Sequence, residues 1–84
     1  MTDFAVEYSE ESIFQLRGLD GTTAKRIVLK IESTRNNPHR FFVRLVGRTE
    51  YKLRVGDYRV IADIEENKKL IIVRSLGHRR NIYK

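Results

Sequence analysis

The chain contains no cysteine, no tryptophan and a single proline. Without cysteine, neither disulfide bonds nor thiolate metal sites can hold the fold together, and nothing indicates an oxidising compartment. No apolar run approaches the roughly 18 residues that a membrane span requires. An acidic residue, Asp3, stands where a secretory signal would carry positive charge. We therefore expect a cytoplasmic protein that does not associate with a membrane.

Charge is distributed unevenly along the 84 residues, of which 40% are hydrophobic. Residues 1–22 carry five acidic side chains and one basic one, for a net charge of −4, whereas residues 23–84 carry sixteen basic and six acidic ones, for +10. The length suits one compact domain over residues 1–84. The asymmetry indicates a basic functional surface, for which nucleic acid and an acidic protein are both candidate partners.

The pattern of apolar residues predicts two helices between the first strand and three later ones, in the order βααβββ. Residues 3–8 alternate as a strand does, and Ser9 can cap a helix over 10–17 that ends at Gly18. Asp20 or Thr22 can cap a second helix over 21–35, in which apolar residues recur on one face. The later strands are predicted at 50–55, 58–64 and 69–75, after an extended segment that begins near 41–43.

Cations are expected to gather on one face of these later strands. Gly56-Asp57 suits a two-residue type II′ turn, which sets Arg54 opposite Arg59 and leaves Lys52 on the same face. In the next hairpin, a two-residue loop at 66–67 and a four-residue loop at 65–68 give the same register. Both pair Ile64 with Lys69 and bring Arg74 opposite Arg59.

Like charges directly opposite each other on neighbouring strands are destabilising. Such a row is therefore either a solvated face on which Arg and Lys protect the sheet edge from pairing with other strands, or an anion site. We favour the anion site, with phosphate as the anion.

Apolar residues of the same strands divide between the two faces. The face that we assign to the helices carries Leu53, Val55, Val60, Ala62, Ile64, Ile71 and Val73. The cationic face carries Ile61, Leu70 and Ile72, and we expect a partner segment to cover these three.

Two motifs in this setting, residues 51–61 and 77–83, resemble the RelE/ParE superfamily of toxins from toxin–antitoxin systems, and archaeal RelE members most of all. The resemblance extends over essentially the full chain. It implies an α+β fold in which two N-terminal helices pack on one face of a small twisted antiparallel sheet. It also implies a type II toxin that enters the ribosomal 30S A site and cuts messenger RNA without a metal or other cofactor.

The implied chemistry is attack of an RNA 2′-hydroxyl on the adjacent phosphate. Lys52 matches a position proposed as the general base, and its cationic neighbours disfavour its charged form. Arg54 stands where the bacterial pattern has lysine, and it can stabilise the phosphorane but not readily take a proton. Arg59 matches the arginine that grips the phosphate in the transition state.

The C-terminal motif supplies the remaining expected site residues. Arg79 matches the proposed acid or leaving-group stabiliser, and electrostatic help is the role that suits a guanidinium. Tyr83 matches a terminal aromatic that stacks on a base or orients the nucleophile. His78 is a further candidate acid or base. We also expect cations at three positions to bind RNA phosphates, namely Arg74, Arg80 and Lys84.

The resemblance also implies an acidic RelB-like antitoxin as partner, in a heterodimer or a heterotetramer. Two alternatives remain open from the sequence. ParE toxins share the fold and inhibit DNA gyrase by binding, and a non-catalytic RNA-binding module would bind without cutting.

Overall fold

The computed structural model describes residues 3–80. In chain order the elements are β1 (Ala5–Tyr8), α1 (Glu10–Arg17), α2 (Gly21–Ser33), a 3-10 helix (Pro38–Arg40), β2 (Val43–Arg44), β3 (Tyr51–Val55), β4 (Tyr58–Glu65) and β5 (Leu70–His78). The predicted order is confirmed, with the two-residue strand β2 added to it. The second helix ends at Ser33, two residues before its predicted end.

Side-chain caps begin both helices, as the sequence predicts. Ser9 Oγ accepts a hydrogen bond from the backbone N–H of Ser12 at 3.1 Å, and Asp20 Oδ1 accepts one from the N–H of Thr23 at 2.8 Å. The pKa of Asp20 lies below its usual value, mainly because its carboxylate accepts the bond from the Thr23 N–H. The bond from the Thr23 hydroxyl is the next largest cause. Each cap satisfies an N–H that has no partner within its helix.

The five strands form one sheet in the order β1-β5-β4-β3-β2. The α+β fold class is confirmed, but the sheet is mixed rather than antiparallel, because β1 runs parallel to β5 with Ala5 opposite Leu70. Alternation of side chains gives the faces of a strand and not its direction.

One face of the sheet packs against the helices and forms the core. The buried cluster joins Ile27 and Ile31 of α2 to side chains of the three long strands, and partly buried Leu16 and Leu19 pack against it from α1 and the loop after it. All seven residues assigned from the sequence to this face belong to the cluster or pack against it. We call the opposite face of the sheet the outer face.

The predicted register between β4 and β5 is wrong. The connecting loop spans residues 66–69 and ends with Lys69 in the left-handed region, at a φ of 51°. Ile64 therefore pairs with Ile71 rather than with Lys69. The register shifts a second time between Ile61 and Ala62. On the Tyr58 side of this shift, Arg59 lies opposite Gly77 and not opposite Arg74.

This second shift is a β-bulge that adds one residue to β5, and side chains of α1 bind the backbone around it. Ser9 Oγ donates to the carbonyl oxygen of Arg74 at 2.7 Å, and Gln15 Oε1 accepts from the N–H of Leu76 at 2.7 Å. Beyond the bulge the faces exchange, so Leu76 enters the core and is 1% exposed. The core predicted from the sequence ends at Val73 and does not include Leu76.

The apolar patch expected on the outer face is largely covered. Ile61 is only 8% exposed, and Leu70 and Ile72 are half-buried. Ile61 therefore leaves little surface for the expected partner segment, and contact of such a segment with these three residues stays a prediction. Apolar side chains with a greater exposed fraction lie elsewhere, including Phe14 on α1, at 79%, and Leu29 on α2, at 58%.

We predict that Gln15→Leu lowers the free energy of unfolding by about 1–3 kcal/mol, because it leaves the part-buried N–H of Leu76 without its acceptor. Gln15→Glu keeps an oxygen at the same position and is the control, for which we expect a clearly smaller loss. Urea denaturation of the two variants and the parent chain measures the difference. Equal stability of Gln15→Leu and the parent would show that the bulge does not need this bond.

Candidate anion-binding site

Two rows of side chains cross the outer face at the end where β3 and β4 meet. In the first row, Arg59 on β4 lies between Arg54 on β3 and Gly77 on β5. In the second row, Ile61 lies between Lys52 and Ser75. Directly opposed residues share a face, so Lys52, Arg54 and Arg59 come together as predicted. The β5 strand places no side chain beside Arg59 and only a small one beside Ile61.

The turn between β3 and β4 positions two of the cationic residues. Gly56 has a φ of +59°, and Asp57 is not among the residues with positive φ, which fits the predicted type II′ turn. Arg54 Nε donates to the carbonyl oxygen of Gly56 at 3.4 Å, and the backbone N–H of Arg79 donates to that of Asp57 at 2.8 Å. We call Lys52, Arg54, Arg59 and Arg79 the basic end of the outer face.

The other end of the outer face is acidic. Ile72 lies between Glu7 of β1 and Asp63 of β4, and Leu70 lies beside Glu65. Two of the predicted partner-contacting residues thus have carboxylates, rather than cations, directly opposite them. The outer face therefore has two electrically distinct halves, whereas the sequence predicts a basic face throughout.

Arg74 does not extend the row of Arg54 and Arg59. It lies at the bulge, where its Nε donates to Asp63 Oδ2 at 2.6 Å. The predicted row of three arginines across three strands is therefore wrong. The ion pair neutralises the charge of Arg74. Counting from the turn misplaced Arg74 because the loop at 66–69 moves the pairing by two residues and the bulge moves it by one more.

His78 lies on the side of the sheet that faces the helices. It is opposite Tyr58, which packs against the core, and the two rings meet edge to face at 5.5 Å between centroids. His78 Nδ1 accepts from the N–H of Arg80 at 3.3 Å, and the ring lines a cavity of about 350 Å³ together with Gln15 and Leu19. The structure therefore does not bring this candidate acid or base to the basic end.

The remaining predicted site residues lie only partly within the described range. Arg80 is exposed just after β5. Tyr83 and Lys84 lie outside the described residues. Within residues 3–80, none of the ion pairs involves Lys52, Arg54 or Arg79, so these three cations carry no neutralising carboxylate there.

Sequence reasoning missed Arg26, a residue of α2 that reaches the turn. Its Nη2 lies 2.8 Å from the position that a Cβ would take on Gly56. Two features therefore favour glycine at position 56: its backbone has a positive φ, and the Arg26 guanidinium approaches it too closely for a side chain. No local pattern marks Arg26, because its partner is thirty residues away in the sequence.

The part of the chain that the structure describes shows no group of three His, Cys, Asp or Glu side chains able to hold a metal ion. Nor does any helix within residues 3–80 have the length and apolar character to cross a membrane.

The described geometry, two helices on one face of a five-stranded mixed sheet, is that of RelE-type toxins. The model of the ParE toxins of type II toxin–antitoxin systems matches residues 6–83. The chain therefore belongs to this toxin family. A search of curated proteins finds no match.

Solved structures agree on the fold. The archaeal RelE–RelB complex from Pyrococcus horikoshii OT3 aligns with a TM-score of 0.78 and 23% identity, over 95% of this chain and 99% of the other. The RelB–RelE complex from Methanococcus jannaschii gives 0.72 and 27%, over 92% and 94%. The toxin–antitoxin complex RelBE2 from Mycobacterium tuberculosis gives 0.81 and 17%, over 93% and 100%.

We predict that Gly56→Ala destabilises the protein more than Gly47→Ala does. Both glycines have positive φ, 59° and 73°, so both substitutions carry the left-handed penalty of about 1–2 kcal/mol. Only at Gly56 does the new Cβ also meet Arg26, whereas at Gly47 no described atom lies within 4 Å. Thermal unfolding of the two variants gives the difference, and equal losses would mean that Arg26 moves aside freely.

Proposed function

We propose that this toxin is an endoribonuclease that cleaves messenger RNA in the ribosomal A site. The observation that carries the proposal is the basic end of the outer face, where Arg54 lies directly opposite Arg59 with Lys52 beside them. Three cations on one face concentrate positive potential where a phosphate can bind. Preorganised charges of this kind stabilise a dianionic transition state.

The proposed reaction begins with removal of the proton from an RNA 2′-hydroxyl. Lys52 is the side chain of the basic end that can exchange a proton, since guanidinium groups stay charged. Lys52 and Arg54 are two residues apart on one face of β3, roughly 7 Å along the strand. A phosphodiester between them has its nucleophile towards Lys52 and its equatorial oxygens towards the arginines.

The 2′-oxygen then attacks the adjacent phosphorus, and the bond to the 5′-oxygen breaks. The 5′-oxygen takes a proton from water as Lys52 holds the one from the 2′-hydroxyl, and the products are a 2′,3′-cyclic phosphate and a 5′-hydroxyl. Arg59 and Arg54 stabilise the charge of the phosphorane, and Arg79 stabilises the leaving 5′-oxygen. We assign a stacking role on a neighbouring base to Tyr83. His78 takes no step in this scheme, because it lies on the other side of the sheet.

In the cytoplasm, an acidic RelB-like antitoxin holds the toxin inactive in this proposal. Its carboxylates fit the basic end, where Lys52, Arg54 and Arg79 have no carboxylate partner within residues 3–80. Of the three apolar residues expected to contact it, Ile61 offers little surface, while Leu70 and Ile72 lie towards the acidic end. We therefore propose that charge at the basic end, more than this apolar patch, governs antitoxin binding.

A second candidate function follows from the family model, which is that of ParE toxins. In that case the same cations form a docking surface on DNA gyrase and catalyse nothing. Lys52 distinguishes the two functions, since a docking surface needs its charge and a nuclease needs its ability to exchange a proton.

We predict that the purified toxin cuts messenger RNA on translating ribosomes and barely cuts free RNA. Its cations can stabilise charge but cannot alone orient a flexible strand, and positioning contributes roughly 7–11 kcal/mol to such reactions. Toe-printing on a translated message, with and without ribosomes, measures this. A gyrase supercoiling assay runs in parallel. An uncut message together with inhibited supercoiling would replace the nuclease by the ParE-like function.

We predict that Arg59→Ala lowers the cleavage rate on ribosomes by roughly two to three orders of magnitude, the usual effect of losing one preorganised charge at a transition state. Arg74→Ala is the matched control, since it also removes one arginine from the outer face but from a residue already paired with Asp63. We expect that variant to stay within about threefold of the parent. Equal effects of the two substitutions would contradict the assignment of the site.

A further inference from the structure

A second group of cations lies around the edge of β3 from the basic end. An open groove of about 430 Å³ runs between α2 and β3 and is lined by Arg26, Leu29, Lys30, Arg54, Val55 and Gly56. We propose that this groove binds a second phosphate of the RNA strand whose cleavage the basic end performs. This inference rests on the proposed nuclease function and adds a binding site to it.

Two guanidinium groups converge on the turn from different layers of the fold. Arg26 approaches Gly56 from α2, with Nη2 at 2.8 Å from the site of a Cβ. Arg54 approaches it from β3 and donates to its carbonyl oxygen at 3.4 Å. The glycine lets both come close, because it has no side chain to separate them.

The third cation, Lys30, is held nearby by an aromatic contact. Its Nζ lies 5.2 Å from the centroid of the Phe41 ring, within the range of a cation–π interaction. Within residues 3–80, none of the ion pairs involves Arg26, Lys30 or Arg54. Three cations thus line one groove without a carboxylate to neutralise them, which favours an anionic ligand.

The open edge of β3 connects the groove with the basic end. The short strand β2 pairs with β3 only at Tyr51 and Lys52. From Leu53 onwards β3 pairs with no strand on the side opposite β4 within the described residues, so Arg54 lies on a strand edge and is exposed. Arg54 therefore belongs to both surfaces, and the cations form one strip from Lys52 around the edge to Arg26.

A nucleic acid backbone suits this strip better than an acidic peptide does. Its charges repeat along the chain at every nucleotide, and arginine pairs recognise phosphate oxygens with several donors at once. In this proposal an RNA strand bound at the basic end continues over this edge, so that its next phosphate meets the groove. An acidic protein segment is the alternative occupant, and the experiment includes it.

The experiment measures binding of the full-length toxin to a fluorescently labelled single-stranded RNA of mixed sequence by anisotropy, at several salt concentrations. We expect Arg26→Ala to weaken binding roughly fivefold to tenfold, and the slope of log affinity against log salt to fall by about 0.7, the value for one lost phosphate contact. Lys25→Ala is the matched control, because it removes one cation from the adjacent exposed position of the same helix, outside the groove. It should bind as the parent does.

Arg26→Lys keeps the charge and should retain most of the salt slope, while thermal unfolding verifies that each variant is folded. Equal losses for Lys25→Ala and Arg26→Ala would reveal a diffuse charge effect and overturn the proposal, as would no loss in either. A labelled polyglutamate peptide is the second probe. If it binds with the same dependence on Arg26 while RNA does not, a protein partner occupies the groove and the RNA proposal fails.

The ribosome cleavage assay separates this inference from the function on which it rests. Lys25→Ala should cut the message as the parent does, whereas Arg26→Ala should need roughly fivefold to tenfold more toxin for the same cleavage, in line with its weaker binding of RNA. Cleavage with unchanged RNA binding by Arg26→Ala would refute the groove alone. RNA binding that depends on Arg26 without cleavage by the parent toxin would refute the nuclease alone.

Discussion

The bulge in β5, with the hydrogen bonds that α1 makes to it, is the constraint on which the rest of the structure depends. A bulge interrupts the ladder between two strands and leaves backbone groups without their strand partner. Here Ser9 binds the carbonyl of Arg74, and Gln15 binds the N–H of Leu76. The same serine caps α1. The start of the helix, its docking on the sheet and the interruption of β5 are therefore one connected set of bonds, and loss of one of them loosens the others.

The bulge also decides which side chains reach which face. Beyond it, Leu76 and His78 turn to the helices, while Ser75 and Gly77 turn to the outer face. Without the extra residue, a leucine and a histidine would lie among the cations, and a serine would lie in the core. The basic end thus has Gly77 as the neighbour of Arg59, and the arginine stands where β5 places no side chain against it.

Sequence reasoning succeeded where structure is determined locally. The caps Ser9 and Asp20 and the tight turn at Gly56 each depend on residues within a few positions, and the turn fixed the pairing of Arg54 with Arg59. It failed at Arg74 because the loop at 66–69 shifts the pairing of β5 by two residues, before the bulge adds one more. It failed at His78 because the side of the sheet on which His78 lies depends on the bulge and on Gln15, which binds a backbone N–H 61 residues away. Arg26 was missed for the same reason, since nothing in the sequence near it shows that α2 passes beside the turn.

The division of the outer face into a basic and an acidic half gives that face an electric dipole. A polyanion that approaches in solution exerts a torque on such a dipole and turns the protein before contact, so that Lys52, Arg54 and Arg59 arrive first and Glu7 and Glu65 point away. Orientation during diffusion raises the fraction of encounters that are productive, and salt suppresses it within a Debye length of about 8 Å at physiological ionic strength. The carboxylates near β1 therefore contribute to the speed of association without touching the target.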